Sequence, residues 1–565
     1  MTAPKLTINV QDFGLGVVES GAGATAIVFG VALGGTTNTV VGFGAKAAAE
    51  GLLVAGPALE AIVSKLDAGA SRVLFTRCAP STFGAAGSVT KVGTGAGTIT
   101  PSAIPHADIL ITCTTGGALG TAQFTFKVGN AAASAPVTSA ASWSTTGYQV
   151  PGTFVNVVFV AGTYVAGATP DTYLLSGADG TVTHPTGTGP AAPSYTASPV
   201  DAFSVVVEVR SSGGLGAGTF RYSIDGGDSY VGDVLIPSSG KFAIPLSSSV
   251  GTGVLLTFAS TFVAGDVYSF TTTHPSYSTT DLASAMDAAI ADSSKWSMVH
   301  VVGAPANAAG AATLHATVAT KMTAAKNAGR YARAMIECPQ TESDAAIKAA
   351  FANVADTRVA VAVGDFEHTS PLTGKVNRRN AAWAAMARAV QIPEGEALHY
   401  VGRGTLDQVK SLYRDEGLTP GLDDARFLTL TTYPGYAGYY VTRGRIMAQA
   451  GSDYSFWQNG RVIDRACEIA RDIGMPLIGK SLRVNPSTGK ILEVEARRIE
   501  KRIKTAIEGD LLARGQISGV SVVVNRDTNI ISTQTLEIDI GVIPLAYADF
   551  INETLRLVNP ALLLS

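Results

Sequence analysis

The residues best placed to do chemistry are Gly474-Met-Pro-Leu-Ile-Gly479-Lys480-Ser481, which satisfy G-x-x-x-x-G-K-[ST], the loop whose amides and lysine cradle nucleotide phosphates. Asp365, closing the apolar run VAVAVGD, could be offered as the acid for the accompanying magnesium. The surroundings argue against both roles. A phosphate loop follows a strand and opens a helix, so that its amides and the helix N-terminus point at the anion. Here a helical segment ends at Gly474, the turn-rich LRVNPSTGK follows, and Pro476 removes an amide from the cradle. The alternative is a helix C-cap glycine at Gly474 and an ordinary turn.

Other reactive types are scattered. The seven histidines (His106, His184, His274, His300, His315, His368, His399) show no H-x-x-x-H or H-E-x-x-H spacing, which leaves metal catalysis unsupported. Asp423 and Asp424 are adjacent acids, but they lie in LTPGLDDARF, a turn-rich segment where a solvated aspartate is commonplace. The glycine string GGLGAG at 213–218 falls between strands rather than between a strand and a helix, so a dinucleotide site is not indicated. Four cysteines, Cys78, Cys113, Cys338 and Cys467, lack C-x-x-C spacing and read as small buried hydrophobes in a reducing compartment. No catalytic, cofactor or metal site is expected, and the chain does not read as an enzyme.

Composition bounds the rest. A chain of 565 residues exceeds one core and implies several domains. Charged residues are only 15% and glycine reaches 62, a bias toward tight turns, β-structure and close packing between chains. A net charge of −3 gives no general footprint for nucleic acid. The start MTAPKLTINVQDFG lacks the apolar core of a signal peptide, and no run of about 18 apolar residues appears, so a soluble product made in the cytoplasm, without membrane insertion, is expected.

The elements that would position any site fall into three kinds. TAIVFGV (25–31) reads as a buried strand, GAKAAAEGLLVAGPALEAIVSKLDAGA as a helix broken near Pro57, and SRVLFTRCA (71–79) as a second strand. This β–α–β alternation resumes from about 281 to 391, which predicts a parallel sheet interrupted in sequence. Between about 81 and 277 the chain turns all-β and repeats itself: DILITCTTGGALGTAQFTFKVG matches FSVVVEVRSSGGLGAGTFRYSIDGG, and TYVAGATPDTYLL matches TFVAGDVYSFT, at a spacing of about 96 to 98 residues. Two tandem sandwich-like modules projecting outward are expected. Last comes an aromatic turn YPGYAGYY (433–440), a helical RVIDRACEIARDIG and a basic helix over 493–515 that leads into strands GVSVVVN and TLEIDIGVIPLA.

That basic helix places Leu492, Ala496, Ile499, Ile503, Ile507 and Leu511 on one face, with Gly515 as its stop. Arg497, Lys501 and Lys504 form one flanking stripe, Arg498 and Arg502 another. Two readings stand side by side: a solvated face paired with Glu493, Glu495, Glu500 and Glu508, or a docking strip for an acidic protein.

With these segments in order, the chain resembles the contractile tail sheath proteins of myophage tails, R-type bacteriocins and contractile injection systems. The segments that carry the resemblance are LDAGASRVLFTRCA, LTTYPGYAGYYVTRGRIMA, SDYSFWQNGRVIDRACEIARD, IEKRIKTAIEGDLLARGQISGVSVVVN and DTNIISTQTLEIDIGVIPLAYADFINETLRL, over about 1–80 and 280–565. It departs from the family in lacking a long hydrophobic terminal arm, since VNPALLLS is short.

The resemblance implies an α/β multi-domain fold. It comprises a linking arm (1–20), a split α/β sheath core (21–80 plus 278–420), two inserted all-β modules (81–200 and 201–277), a C-terminal α+β assembly domain (421–542) and a C-terminal arm (543–565). It implies a subunit that polymerises helically around a tail tube through strand exchange and contracts. The partners would be further copies of itself, the tube protein, and baseplate and tail terminator proteins, in a virion tail or contractile particle assembled in the bacterial host cytoplasm.

The N-terminal linking strand would be Leu6, Ile8 and Val10, hinged at Gly14 and Gly16. The acceptor edge would come from Val520, Val522, Val524, Leu536, Ile538 and Ile540, and the tube-facing stripe from Arg497, Arg498, Lys501, Arg502 and Lys504. The competing readings are an extracellular β-rich adhesin or surface-layer protein and a phosphate-loop nucleotide hydrolase.

Overall fold

The structure, a computed structural model, describes residues 25–247 and 250–553. The expected linking strand at Leu6, Ile8 and Val10, its hinge at Gly14 and Gly16, and the last part of the C-terminal arm lie outside those residues.

A six-stranded sheet runs in the order Val40–Phe43, Val73–Arg77, Ala26–Gly30, Met298–Val301, Arg333–Cys338, Val359–Val363. All its pairings are parallel except that of the Val40–Phe43 edge strand. The inner strands are buried on both faces, which is why they read as unbroken apolar runs. Alternation sorts their side chains: Ala26 and Val28 join one core with helices α1 (Lys46–Leu53), α2 (Pro57–Asp67) and, later in the chain, Ala381–Gln391. Ile27 and Phe29 join the opposite core with α3 (Thr279–Ala291), α4 (Ala308–Asn327) and α5 (Asp344–Ala350). The Ala381–Gln391 helix is α6. Its start is fixed by Asn380, whose side chain accepts from Ala382 N, so the 376–380 stretch is strand and not helix.

The inserted β region departs from a tandem arrangement with a boundary at 200. The first module has a five-stranded sheet (Val182–Thr186, Thr172–Leu175, Ile109–Thr115, Gln123–Val128, Val137–Thr138) facing a three-stranded one (Tyr148–Gln149, Val155–Val158, Ser194–Ala197). The second repeats that plan with Val267–Thr271, Ser204–Ser211, Thr219–Ser223 and Val231–Leu235, and with Lys241–Pro245 and Gly251–Ala259. Its two closing strands, however, are Thr90–Val92 and Thr98–Ala103. These precede the first module in sequence. Residues 81–104 therefore belong to the second module, and the first is inserted within it.

The equivalence extends to side chains. Asp171 accepts from Gly189 N and lies 3.4 Å from His184, while Asp266 accepts from Gly95 N and lies 3.4 Å from Lys91. Both carboxylates are buried beneath a Gly-Thr-Gly turn, 187–189 or 93–95, where any Cβ would overlap the Asp. Burying each carboxylate is tolerable because a loop amide meets it, with Lys91 beside Asp266 and the His184 ring beside Asp171.

The second module is fused to the body: Val31, Leu33 and Ala55 share its core with Phe203, Ile224 and Leu256. Arg379 donates to both oxygens of Asp201 (3.1 and 2.7 Å) and pairs with Glu60. The buried core of the first module is drawn entirely from 109–197.

After the hairpin Leu430–Tyr433/Tyr436–Val441, helix α7 (Trp457–Gly474) crosses back to the sheet. Its Asp464 pairs with Arg333 (3.0 Å) and Arg358 (3.1 Å), and a side chain at Gly460 would overlap the Arg333 guanidinium. Helix α8 (Glu493–Ile507) is shorter than expected: 508–512 widens into a π turn before the chain reverses at Gly515, φ +68°. The closing pair, Gly519–Val524 antiparallel to Ile538–Ile543, packs against α8.

Candidate functional site

The closing pair is a two-stranded sheet whose outer edges carry no further strand among the described residues. Its six-residue register runs from Gly519↔Ile543 to Val524↔Ile538. Val520, Val522 and Val524 are buried against α8 residues Ala496, Ile499, Ile503 and Ile507, and Ile538 and Ile540 are half-buried on the same face. Their side chains seat the pair on the helix, and what remains for a partner is the edge backbone, with exposed Val523 and Ile543 on the other face. Leu536 lies before the strand, half-buried beside it.

Arg497, Arg498, Lys501, Arg502 and Lys504 are all exposed on α8. Arg497 pairs with Glu493 at 2.6 Å and Lys504 with Glu508 at 3.7 Å. Sequence reading missed Arg526, on the turn of the closing pair, which takes Glu493 and Glu500 (2.5 and 2.8 Å). With two helix glutamates committed there, Glu493 is held down to about 2 by hydrogen bonds from Arg526 and then Arg497. Arg498, Lys501 and Arg502 carry no ion pair among the described residues.

The other sequence candidates are placed as follows. Gly474 is helical (φ −77°, ψ −36°) and caps nothing. The chain continues through a 3-10 turn, Met475–Leu477, and the left-handed residue is Gly479, φ +75°. No helix begins at Lys480 or Ser481; the next is α8. Asp423 is buried rather than solvated, gripped by Arg443 and lying 3.6 Å from Arg445, whereas Asp424 is exposed and pairs with Arg443 at 2.7 Å. Asp365 pairs with Arg378 at 2.8 Å. Cys78, Cys113 and Cys338 are buried and Cys467 is half-buried, all free thiols.

A buried polar chain that sequence could not reveal runs through the body. Lys65 Nζ meets His300 Nδ1 at 2.8 Å, His300 Nε2 lies 3.6 Å from Glu337, and Trp383 donates to Glu337 at 2.8 Å. Among the described residues no group of three or more His, Cys, Asp or Glu could hold a metal, and no helix is long and apolar enough to cross a membrane.

Beyond the closing pair, residues 545–549 and Ile551 form one wall of a groove of about 810 Å³ that is also bordered by Pro393, Ala397, Tyr400 and Tyr433. Tyr547 donates to Gly395 O at 2.6 Å, and His399 Nε2 meets Asp549 at 3.1 Å. Phe550 and Ile551 follow, both exposed.

Two family models match the chain: "DUF2586, N-terminal domain" over residues 3–445 and "DUF2586, C-terminal domain" over 453–562. No curated protein matches it. Among solved structures it is similar to the sheath tail protein of Listeria innocua, at 11% identity, TM-score 0.41, covering 93% of this chain and 96% of that one. It is similar to the sheath tail protein of Desulfitobacterium hafniense at 11% identity, TM-score 0.43, covering 96% and 100%. A contracted-state sheath complex of an extracellular contractile injection system is similar at 12% identity, TM-score 0.36, over 52% and 76%.

Proposed function

This chain belongs to the DUF2586 family, whose N-terminal and C-terminal domains it carries in order, and from the order of its sequence elements and the geometry of its closing pair we propose that it is the structural subunit of a contractile tail sheath. The subunit polymerises helically around a tail tube and contracts to drive the tube through a target cell envelope. In this reading the split α/β body and the α7–α8 domain form the sheath core, and the β modules decorate it. The particle is a virion tail or related contractile device, with tube, baseplate and terminator proteins as partners.

The observation that carries this reading is the closing pair: two strands seated on a helix, with both outer edges lacking a strand among the described residues. Such edges are templates for further strands, and an unblocked one invites association. Arms from neighbouring copies, Leu6, Ile8 and Val10 at one end and the C-terminal residues beyond Asp549 at the other, would complete the sheet, since Ile543 is already paired with Gly519 and 547–549 are held on the chain's own body. At a net ~0.5–1.5 kcal/mol per hydrogen bond, six or so bonds give several kcal/mol per link. Links of that strength persist while weaker body-to-body contacts exchange. The exposed cations Arg498, Lys501 and Arg502 suit a tube contact, because charge pairs across a wet interface are worth about 0–1 kcal/mol each and can release. Contraction then needs no nucleotide, since a metastable array runs downhill to one with more contact.

Negative-stain microscopy of the purified protein tests this directly: hollow striated cylinders are expected, and protein lacking residues 2–16 should fold yet fail to polymerise. A compact monomer that never forms cylinders would sink the reading, and normal cylinders from the truncated protein would sink the arm assignment.

A further inference from the structure

The turn at 392–396, where α6 ends, is met by three other parts of the chain. Arg461 of α7 donates from one nitrogen to Ala389 O, Ile392 O and Pro393 O, each at 3.2 Å, a cation placed at a helix C-terminus. From the segment after α8, Gln516 accepts from Gly395 N at 2.8 Å and Arg514 pairs with Glu394 at 3.0 Å. From the base of the C-terminal arm, Tyr547 donates to Gly395 O at 2.6 Å, and three residues past the turn His399 holds Asp549 at 3.1 Å. Body, assembly helices and arm are thus tied at one point.

Resting on the sheath reading above, we propose that this junction relieves tension on the closing pair: it passes force arriving along the C-terminal arm into the body before that force reaches the sheet. The geometry supplies the reason. Without the junction, a pull from residue 553 would first load Ser518 N to Ile543 O (2.8 Å) and Ser518 Oγ to Pro544 O (3.0 Å). Those bonds sit at the end of the pair, and bonds at a ladder end break one at a time. Tyr547 and Asp549 lie between the pull and that end, fastened to a different part of the molecule. Only 544–546 separate them from the last paired residue, so little slack is left. Burial keeps the Tyr547 hydroxyl protonated, pushing it up to about 12, so the donor is present throughout the ordinary pH range. Phe550, over whose ring the Arg443 guanidinium lies at 5.8 Å, and Ile551, 77% and 75% exposed, begin the portion from which a neighbour would be engaged.

The test is Tyr547→Phe combined with Asp549→Asn, with Tyr547→Phe alone as a milder companion that keeps the ring. Limited proteolysis of the isolated full chain should cut within 544–553 about tenfold faster or more, while the closing pair stays uncut. Cylinders assembled from the double variant should shed subunits under shear, or when triggered to contract, at least about tenfold faster than wild type. Unchanged cleavage within 544–553, or variant cylinders as durable as wild type despite faster cleavage there, overturns the inference alone. A wild type that forms no cylinders overturns the function and this inference together.

Discussion

His106, at the point where the chain enters the first β module, is a buried histidine whose carbonyl accepts from Gly251 N at 2.9 Å. Burial alone drives its imidazole down from 6.5 to about 4, so the folded protein holds it neutral. The sign follows from linkage: the native state binds this proton less readily than the unfolded chain, so the group's contribution is complete above pH 6.5 and is lost as pH falls toward 4. A shift of that size is worth on the order of 3 kcal/mol. His106→Gln keeps a neutral polar group, so urea unfolding at pH 7.5 and 4.5 should show wild type losing that increment relative to the variant. Parallel pH dependence in the two proteins would refute the assignment. Lys65 obeys the same rule in the same direction, its ammonium drawn down to about 7 by burial against the pull of Glu337. Residue letters misled where burial decides the role. Asp423 sits among turn formers and is nevertheless buried beside two arginines, and burial pushes its carboxyl upward. The phosphate-loop letters are disarmed by backbone: a helix precedes them and none follows at Lys480.

At the scale of elements, the nested β modules make a sharp claim about which pieces fold alone. Residues 105–198 contain every strand of the first module, whereas 199–277 lack Thr90–Val92 and Thr98–Ala103. Without those strands two edges open, and Asp266 loses both the Gly95 amide and Lys91, leaving a buried charge that the fold does not tolerate. Fragment 105–198 should therefore give a dispersed amide spectrum and 199–277 should not. Because Gly87 N bonds Thr271 O at 2.8 Å, joining 88–104 behind residue 272 through a short turn should restore folding. A well-dispersed spectrum from 199–277 alone would show that the early strands are not part of it. The body sheet was legible in sequence because strands covered on both faces are continuous apolar runs, and the repeated hairpins because their alternation and Gly-Gly turns recur. The closing strands of the second module escaped notice because they are short, half-exposed and rich in Thr, one of them carrying a Pro, with their partners some 150 to 180 residues away. The one signal available was the Gly-Thr-Gly at 93–95 and again at 187–189, each set against an aspartate at 266 or 171. On α8 the buried and basic faces were legible from helical period, but Arg526, which takes its glutamates, arrives from a turn that only tertiary structure brings near.

For the whole molecule, the arrangement separates two kinds of contact. If neighbouring copies lend strands to the closing pair, those links would depend on backbone and apolar seating, which salt barely touches, while α8 presents its unpaired cations on the opposite, exposed side of the same helix. If tube contact is the task of those cations, reversing Arg498, Lys501 and Arg502 to Glu should leave the subunit within about 1 kcal/mol of wild-type stability, because exposed sites without partners contribute little. Self-assembly should also survive, since none of the three seats the closing pair. Co-sedimentation with the tube protein should fall sharply, and the wild-type interaction should weaken in the same way as salt rises from 0.1 to 1 M, where the screening length shrinks from about 10 to about 3 Å. The outcome that rules this out is a triple variant that co-sediments with tube as well as wild type and shows the same salt response. The stripe would then be a solvated face, and the tube would have to be held by surfaces elsewhere on the subunit. Loss of cylinders in the absence of tube would instead place these cations in subunit-to-subunit contact, although the closing pair itself rests on the buried face of α8 and on Glu493 and Glu500, not on them.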